Sequence, residues 1–236
     1  MITDQSLPVI IALDYADAVE TMAIVEQLQG LGCKLKVGKE LFTREGPQLV
    51  RQFVSAGFDV FLDLKFHDIP NTTAQAVAAA ADMGVWMVNV HASGGRRMMT
   101  AAREKLEIMG SDTLLTAVTV LTSMADEDLI EVGLSSPAEE QVMRLAALAE
   151  DCGLHGVVCS GQEAGVIRER FGDGFVRVTP GIRPSGAPGD DQRRTLTPSQ
   201  AIIAGSSYLV IGRPVTRATD PRKALLAIAE EIGKMV

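Results

Sequence analysis

Asp63, Lys65 and Asp68 fall within ten residues, Asp63-Leu64-Lys65-Phe66-His67-Asp68-Ile69-Pro70-Asn71-Thr72, that follow the apolar run Phe58 to Leu62. The apolar run reads as a buried strand. Residues two apart on a strand share a face, so Asp63 and Lys65 point the same way. Asp68 follows as the chain leaves the strand. Pro70 suits the first turn of a helix, and the alanine-rich stretch Ala74 to Ala81 continues it. An acid, a base and a second acid thus gather at the C-terminal end of one strand. Opposite charges held so close must pair to offset desolvation, and such clusters mark reactive sites. A lysine between carboxylates can stabilise developing negative charge and deliver a proton.

Other polar residues sit at corresponding places. Asp14 ends a first apolar run, and Lys36 lies near the end of Lys34-Leu35-Lys36-Val37-Gly38. Thr122 follows a fifth run. Arg183 and Gln192 flank the Gly/Pro-rich stretch 184–191, which reads as a long loop. Gly212 and Arg213 end an eighth run. Each has a plainer reading. Asp14 and Thr122 can cap helices, Lys36 can be an ion-pair partner for Asp63, and Arg213 can be a surface residue. Lys34 reads as a surface residue at its strand's start. His67 can pack or hydrogen-bond beneath the motif, His91 ends the fourth run behind the site, and His155 reads as structural.

The elements that must position these residues recur regularly. Strands are predicted at Val9–Asp14, Lys34–Gly38, Val60–Lys65, Trp86–Ala92, Leu114–Leu121, Gly156–Ser160, Phe175–Gly181 and Tyr208–Gly212. The first five begin 25 to 28 residues apart, the length of a strand plus a crossover helix. Helical periodicity appears in Ala16–Leu31, Ala201–Gly205 and Lys223–Ile232. A small extra helix is predicted from Ala125 to Glu131, ahead of a longer one from Pro137 to Cys152. Eight such units in 236 residues predict one α/β domain over 1–236, a (β/α)₈ TIM barrel. A doubly wound open sheet is the alternative, but Asp14-Tyr15-Ala16-Asp17 lacks its glycine-rich turn. Only a closed barrel brings all these strand ends to one rim. Barrels often hold phosphate after strands seven and eight, where Gly212 admits a close approach and Arg213 adds charge.

Composition narrows the function. The chain is 47% hydrophobic and 4% aromatic, with a formal charge of −8 from 22 basic and 30 acidic residues. With no basic block, nucleic acid and anionic membrane are unsuitable as main partners. No apolar run reaches the ~18 residues needed to span a bilayer. No signal pattern opens the chain, and Cys33, Cys152 and Cys159 lack metal-ligand spacing, so a cytoplasmic protein with inert thiols is expected. No cofactor signature, metal pair or nucleophile elbow is present.

The ten-residue motif closely resembles that of the orotidine 5′-phosphate decarboxylase family. Ile11-Ala12-Leu13-Asp14, Lys36-Val37-Gly38, Thr179-Pro180-Gly181-Ile182-Arg183 and Ile211-Gly212-Arg213-Pro214 resemble further family segments, in order, over nearly the whole chain. The resemblance implies cofactor-free decarboxylation of orotidine 5′-monophosphate to UMP, the last step of de novo UMP synthesis. It implies Lys65, Asp63, Asp68 and Lys36 as the catalytic array. Asp14, Lys36 and Thr72 would hold the ribose, with Thr122 near base or ribose, and Arg183, Gln192, Gly212 and Arg213 would hold the phosphate. The 183–192 loop would close over the substrate. It also implies a homodimer in which Asp68 and Thr72 reach into the partner's site. Competing readings are a metal-dependent 3-keto-gulonate 6-phosphate decarboxylase and a noncatalytic barrel that only binds a phosphorylated ligand.

Overall fold

The computed structural model describes residues 6–184 and 196–233. Eight parallel strands close into a barrel in sequence order: β1 (Val9–Leu13), β2 (Lys34–Gly38), β3 (Val60–Phe66), β4 (Met87–His91), β5 (Leu114–Val118), β6 (Gly156–Val158), β7 (Val176–Thr179) and β8 (Tyr208–Ile211). The last strand pairs with the first, Val9 opposite Leu209 and Ile11 opposite Ile211. The expected (β/α)₈ barrel is therefore present, and the open-sheet alternative is not. All eight expected strands exist. Most are shorter than expected, chiefly because residues at their C-terminal ends leave the ladder. β5, for example, stops at Val118 rather than Leu121.

Helices alternate with the strands. They are α1 (Ala18–Leu28), α2 (Lys39–Ser55), α3 (Pro70–Ala81), α4 (Gly95–Met109), α5 (Asp126–Glu131), α6 (Ala138–Asp151), α7 (Ala164–Phe171), α8 (Pro198–Ile203), α9 (Arg213–Thr216) and α10 (Pro221–Gly233). A 3₁₀ turn, Ala92–Gly94, precedes α4. Pro70 opens α3 as its fixed φ favours. α1 starts at Ala18 because Asp17 caps it, its Oδ1 accepting the Glu20 amide at 2.9 Å. α8 begins three residues earlier than expected. Thr197 and Gln200 cap it reciprocally, the Gln200 amide donating to Thr197 Oγ1 at 3.2 Å and the Thr197 amide to Gln200 Oε1 at 2.9 Å. α2 is broken at Gly46, whose φ of 69° only glycine adopts freely, and Pro47 restarts it.

Strand alternation splits the core in two. Outward residues such as Ile11, Leu35, Leu62, Val88 and Leu209 pack beneath the helices. Inward residues Ile10, Ala12, Phe61, Met87, Val178 and Val210 fill the barrel with Leu114, Val158 and Val176 at their margin. The barrel is thus a packed core, with polar side chains gathered toward its ends.

Lys34 departs from expectation. It is 4% exposed, not a surface residue. Its strand register with Ile10 turns it inward at the N-terminal end of the barrel. There its ammonium donates to Asp59 Oδ2 at 2.6 Å and Ser6 Oγ at 2.8 Å. It also lies 4.7 Å from the centre of the Trp86 ring and 5.8 Å from that of Tyr208. The two rings meet edge to face, 4.9 Å apart. A buried ammonium requires such compensation by carboxylate, hydroxyl and ring faces.

Candidate active site

Three neighbouring strands build a row of alternating charge at the C-terminal mouth. Asp14 leaves β1, Lys36 points inward from β2, and Asp63 and Lys65 do so from β3. Lys36 Nζ lies 3.3 Å from Asp14 Oδ1 and 3.4 Å from Asp63 Oδ2. Lys65 Nζ lies 2.5 Å from Asp63 Oδ1. Asp14 therefore pairs with a lysine rather than capping α1. Lys36 and Asp63 are 8% and 9% exposed, so their attraction is little screened by solvent. Burial alone would raise the Asp63 pKa. The ammonium groups of Lys36 and Lys65, with hydrogen bonds from Lys65 and Asn89, outweigh it and hold the carboxyl below its usual range.

The backbone of β3 is irregular at this point. Leu62 pairs with Val88 and Phe66 with Val90, so three residues of β3 oppose the single Asn89 of β4. Within this bulge Lys65 adopts φ 53°, the only positive φ at a non-glycine residue among those described. Such a conformation costs about 1–3 kcal/mol and persists only where its surroundings enforce it. Asn89 supplies part of that enforcement, accepting the Lys65 amide on Oδ1 at 2.8 Å and donating Nδ2 to Asp63 Oδ1 at 2.8 Å. The bulge and Asn89 escaped the reading of the sequence. The signal available was a polar residue on the inward register of an otherwise apolar strand.

Beside the charges lies a cavity of about 160 Å³, lined by Lys36, Asp63, Lys65 and Thr122 and by apolar groups including Phe61, Val118, Val158, Pro180 and Val210. Thr122 thus lines this cavity and does not cap α5, whose first turn is tied by the Ala125 amide donating to Asp128 Oδ2 at 2.7 Å. A planar ring with polar edges suits such a slot, with one edge against the ammonium. Larger cavities exist, one of about 560 Å³ between the α1–β2 and α2–β3 connections. It lies away from the charged row.

The remaining expected residues are placed as follows. Asp68, on the β3–α3 connection, and Thr72, in the first turn of α3, are exposed and outside the charged row of their own chain. Asp68 Oδ1 accepts the Ile69 amide at 2.7 Å. Arg183 follows β7, its amide donating to the Leu196 carbonyl at 2.9 Å and its guanidinium to the Ile182 carbonyl at 3.0 Å. Gly212 follows β8 and Arg213 opens the short helix α9. A Cβ on Gly212 would stand 3.7 Å from Asp14 Oδ2, which brings the β8 end beside the charged row. Gln192, and with it most of the 183–192 loop, lies outside the described residues. His91 faces the mouth with its ring centre 5.6 Å from that of His67. Burial first, then the positive charge of His67, Lys39 and Lys65, pushes its pKa down to about 4. His155 is structural, accepting the Leu115 amide on Nδ1 at 2.9 Å. Cys33, Cys152 and Cys159 are buried free thiols. Among the described residues no group of His, Cys, Asp and Glu could hold a metal ion. No helix among them is long and apolar enough to cross a membrane.

Fold and site together define a (β/α)₈-barrel enzyme built around a lysine held between carboxylates. The family model described as "Orotidine 5′-phosphate decarboxylase / HUMPS family" matches residues 7–228. A protein of Chromohalobacter salexigens named orotidine 5′-phosphate decarboxylase is 58% identical over 234 residues, covering 99% of each chain. One of the same name from Chromobacterium violaceum is 60% identical over 226 residues, 96% of this chain and 92% of its own. The crystal structure of orotidine 5′-phosphate decarboxylase from Lactobacillus acidophilus superposes with a TM-score of 0.86 at 39% identity, covering 95% of this chain and 98% of that one. The chain belongs to the orotidine 5′-phosphate decarboxylase / HUMPS family.

Proposed function

We propose that this chain converts orotidine 5′-monophosphate to uridine 5′-monophosphate and carbon dioxide, the closing step of UMP synthesis. Among the family's activities, the close relatives named for this one favour it. The observation that carries the chemistry is the row Asp14, Lys36, Asp63, Lys65 beside an apolar slot.

The reaction breaks the bond between ring carbon six and its carboxylate. The electron pair stays on carbon six, in an orbital in the ring plane that the π-system cannot delocalise. Stabilisation must come from charge already in position. Lys65 Nζ is the group for this. It faces carbon six, stabilises the developing charge, then transfers a proton there, completing UMP. The resulting amine regains its proton from solvent. Asp63 fixes Lys65 at 2.5 Å, and Lys36, itself pinned by Asp14, fixes Asp63. Carbon dioxide leaves neutral, so any repulsion between Asp63 and the substrate carboxylate disappears as the bond breaks.

Asp14 and Lys36 bind ribose hydroxyls, and Thr122 meets the base or ribose. Arg183, Gln192, Gly212 and Arg213 receive the phosphate, and the short helix after β8 is where barrels of this type commonly hold one. Phosphate contacts far from carbon six contribute binding energy that can be used to organise the reacting groups. Two copies of the chain form the working unit, Asp68 and Thr72 of each entering the other's site. Their exposure, Asp68 just before α3 and Thr72 in its first turn, supports that reading. Residues 1–236 act as one catalytic domain in the cytoplasm.

The test is the ultraviolet absorbance of the protein with orotidine 5′-monophosphate in the presence of a chelator. Decay to the UMP spectrum, absent in Lys65→Ala, is the expected result. A folded protein that leaves the spectrum unchanged overturns the assignment and directs attention to sugar phosphates with added magnesium.

A further inference from the structure

We infer that Asn89 is a positioning residue for the reaction, a side-chain splice across the β3 bulge that sets the aim of Lys65. This rests on the decarboxylase reading above. In a regular parallel pair the backbone of β4 would bond to every second residue of β3, without a break. Here the ladder is interrupted between Leu62 and Phe66. The amide of Lys65, turned by its φ of 53°, meets the Asn89 carboxamide instead. The same carboxamide donates to Asp63 Oδ1, the oxygen that also receives the Lys65 ammonium. One side chain, fully buried, therefore ties both ends of the lysine: its backbone directly and its ammonium through the carboxylate.

A carboxamide satisfies both demands at any pH. Its oxygen accepts from an amide and its nitrogen donates to a carboxylate. Leucine has similar bulk and neither function. Aspartate keeps the acceptor, but ionised it sets a second carboxylate against Asp63. Protonated, it regains the donor. The charged and titratable groups around the position are Asp63 and Lys65 from β3, Lys36 from β2, His91 from β4 and His67 from the β3–α3 connection. None of them offers both a donor to Asp63 and an acceptor for the Lys65 amide.

The experiment compares wild type, Asn89→Leu and Asn89→Asp by three readouts: kcat against pH, affinity for UMP, and hydrogen exchange at the Lys65 amide. Asn89→Leu should lower kcat by about 100-fold, the scale of a misplaced reacting group, while leaving UMP affinity close to wild type. Its Lys65 amide should exchange faster. Asn89→Asp should keep that amide protected. Its kcat should fall as pH rises through an apparent pKa absent from wild type, because two carboxylates sharing a site hold one proton tightly. Activity regained in acid by Asn89→Asp supports the inference even where Asn89→Leu fails to fold. A pH profile parallel to wild type, or kcat and UMP affinity falling together, overturns it. If wild type itself does not decarboxylate, the reaction assignment fails, and the exchange pattern alone still reads whether Asn89 holds the Lys65 backbone.

Discussion

Asp63→Asn isolates the contribution of the central carboxylate. The substitution keeps shape and keeps an oxygen for Asn89, but leaves the ammonium groups of Lys36 and Lys65 facing a neutral side chain. Lys36 retains Asp14, whose side chain is 71% exposed and so a weak partner. Lys65 pairs with no other carboxylate among the described residues. Its 2.5 Å contact, shorter than the 3.4 Å of Lys36, makes it the greater loser. Breaking a buried pair by removing one partner costs about 3–5 kcal/mol. For a chain of this length each kcal/mol moves the melting temperature by about 2–4 °C, so a fall of about 6–20 °C is expected. The acid side of the stability curve should change too. The folded Asp63 pKa lies below its unfolded value, so its contribution is present above the ordinary carboxylate pKa and is lost as pH falls through the folded one. A carboxamide at this position does not titrate, so the variant lacks that slope. Calorimetry across pH measures the stability, and the ultraviolet assay measures kcat, expected to fall at least about 100-fold as Lys65 loses its aim. A variant that melts with wild type and turns over at its rate would refute the reasoning.

Lys65→Ala should nearly abolish turnover while UMP binding, measured by calorimetric titration, stays largely intact. Substantial residual turnover would remove Lys65 from the centre of the mechanism. Arg213→Ala should raise KM for the phosphorylated substrate and do much less to a substrate lacking phosphate; equal losses for both would argue against phosphate contact. Mixing inactive Asp68→Ala and Lys65→Ala proteins should restore activity in heterodimers with one intact site. Failure despite proven subunit exchange would mean that sites are not shared. His91 has a folded pKa of about 4 against an ordinary 6.5, so the unfolded chain binds the extra proton. Wild-type stability should therefore decline as pH falls from about 6.5 toward 4, and His91→Gln should reduce that slope in acid melts.

The barrel was legible because strands buried on both faces read as short apolar runs, and eight of them at crossover spacing leave few alternatives. The row Asp14, Lys36, Asp63, Lys65 was legible for a related reason. Each residue ends such a run, and closure brings the ends together. What stayed hidden depends on register. Lys34 stands two residues before Lys36 and has the same residue type, so nothing local distinguishes an ammonium under two rings from one in solvent. Trp86 and Tyr208 come to it from positions 52 and 174 residues away in sequence. The bulge in β3 carries no glycine to announce it, since Lys65 itself takes the positive φ. Asn89 looked like one polar residue in an apolar strand, and its meaning appears only when the interrupted ladder lies opposite.

Trp86 is the only tryptophan in the chain, and its contacts with Lys34 and Tyr208 place it at the opposite end of the barrel from the reacting groups. The protein therefore carries a built-in optical probe for integrity that is deaf to catalysis. Its emission should shift when the barrel floor comes apart and stay constant when ligand fills the mouth. A variant dead because its lysine is misdirected will glow like wild type, while one dead because the barrel has opened will not.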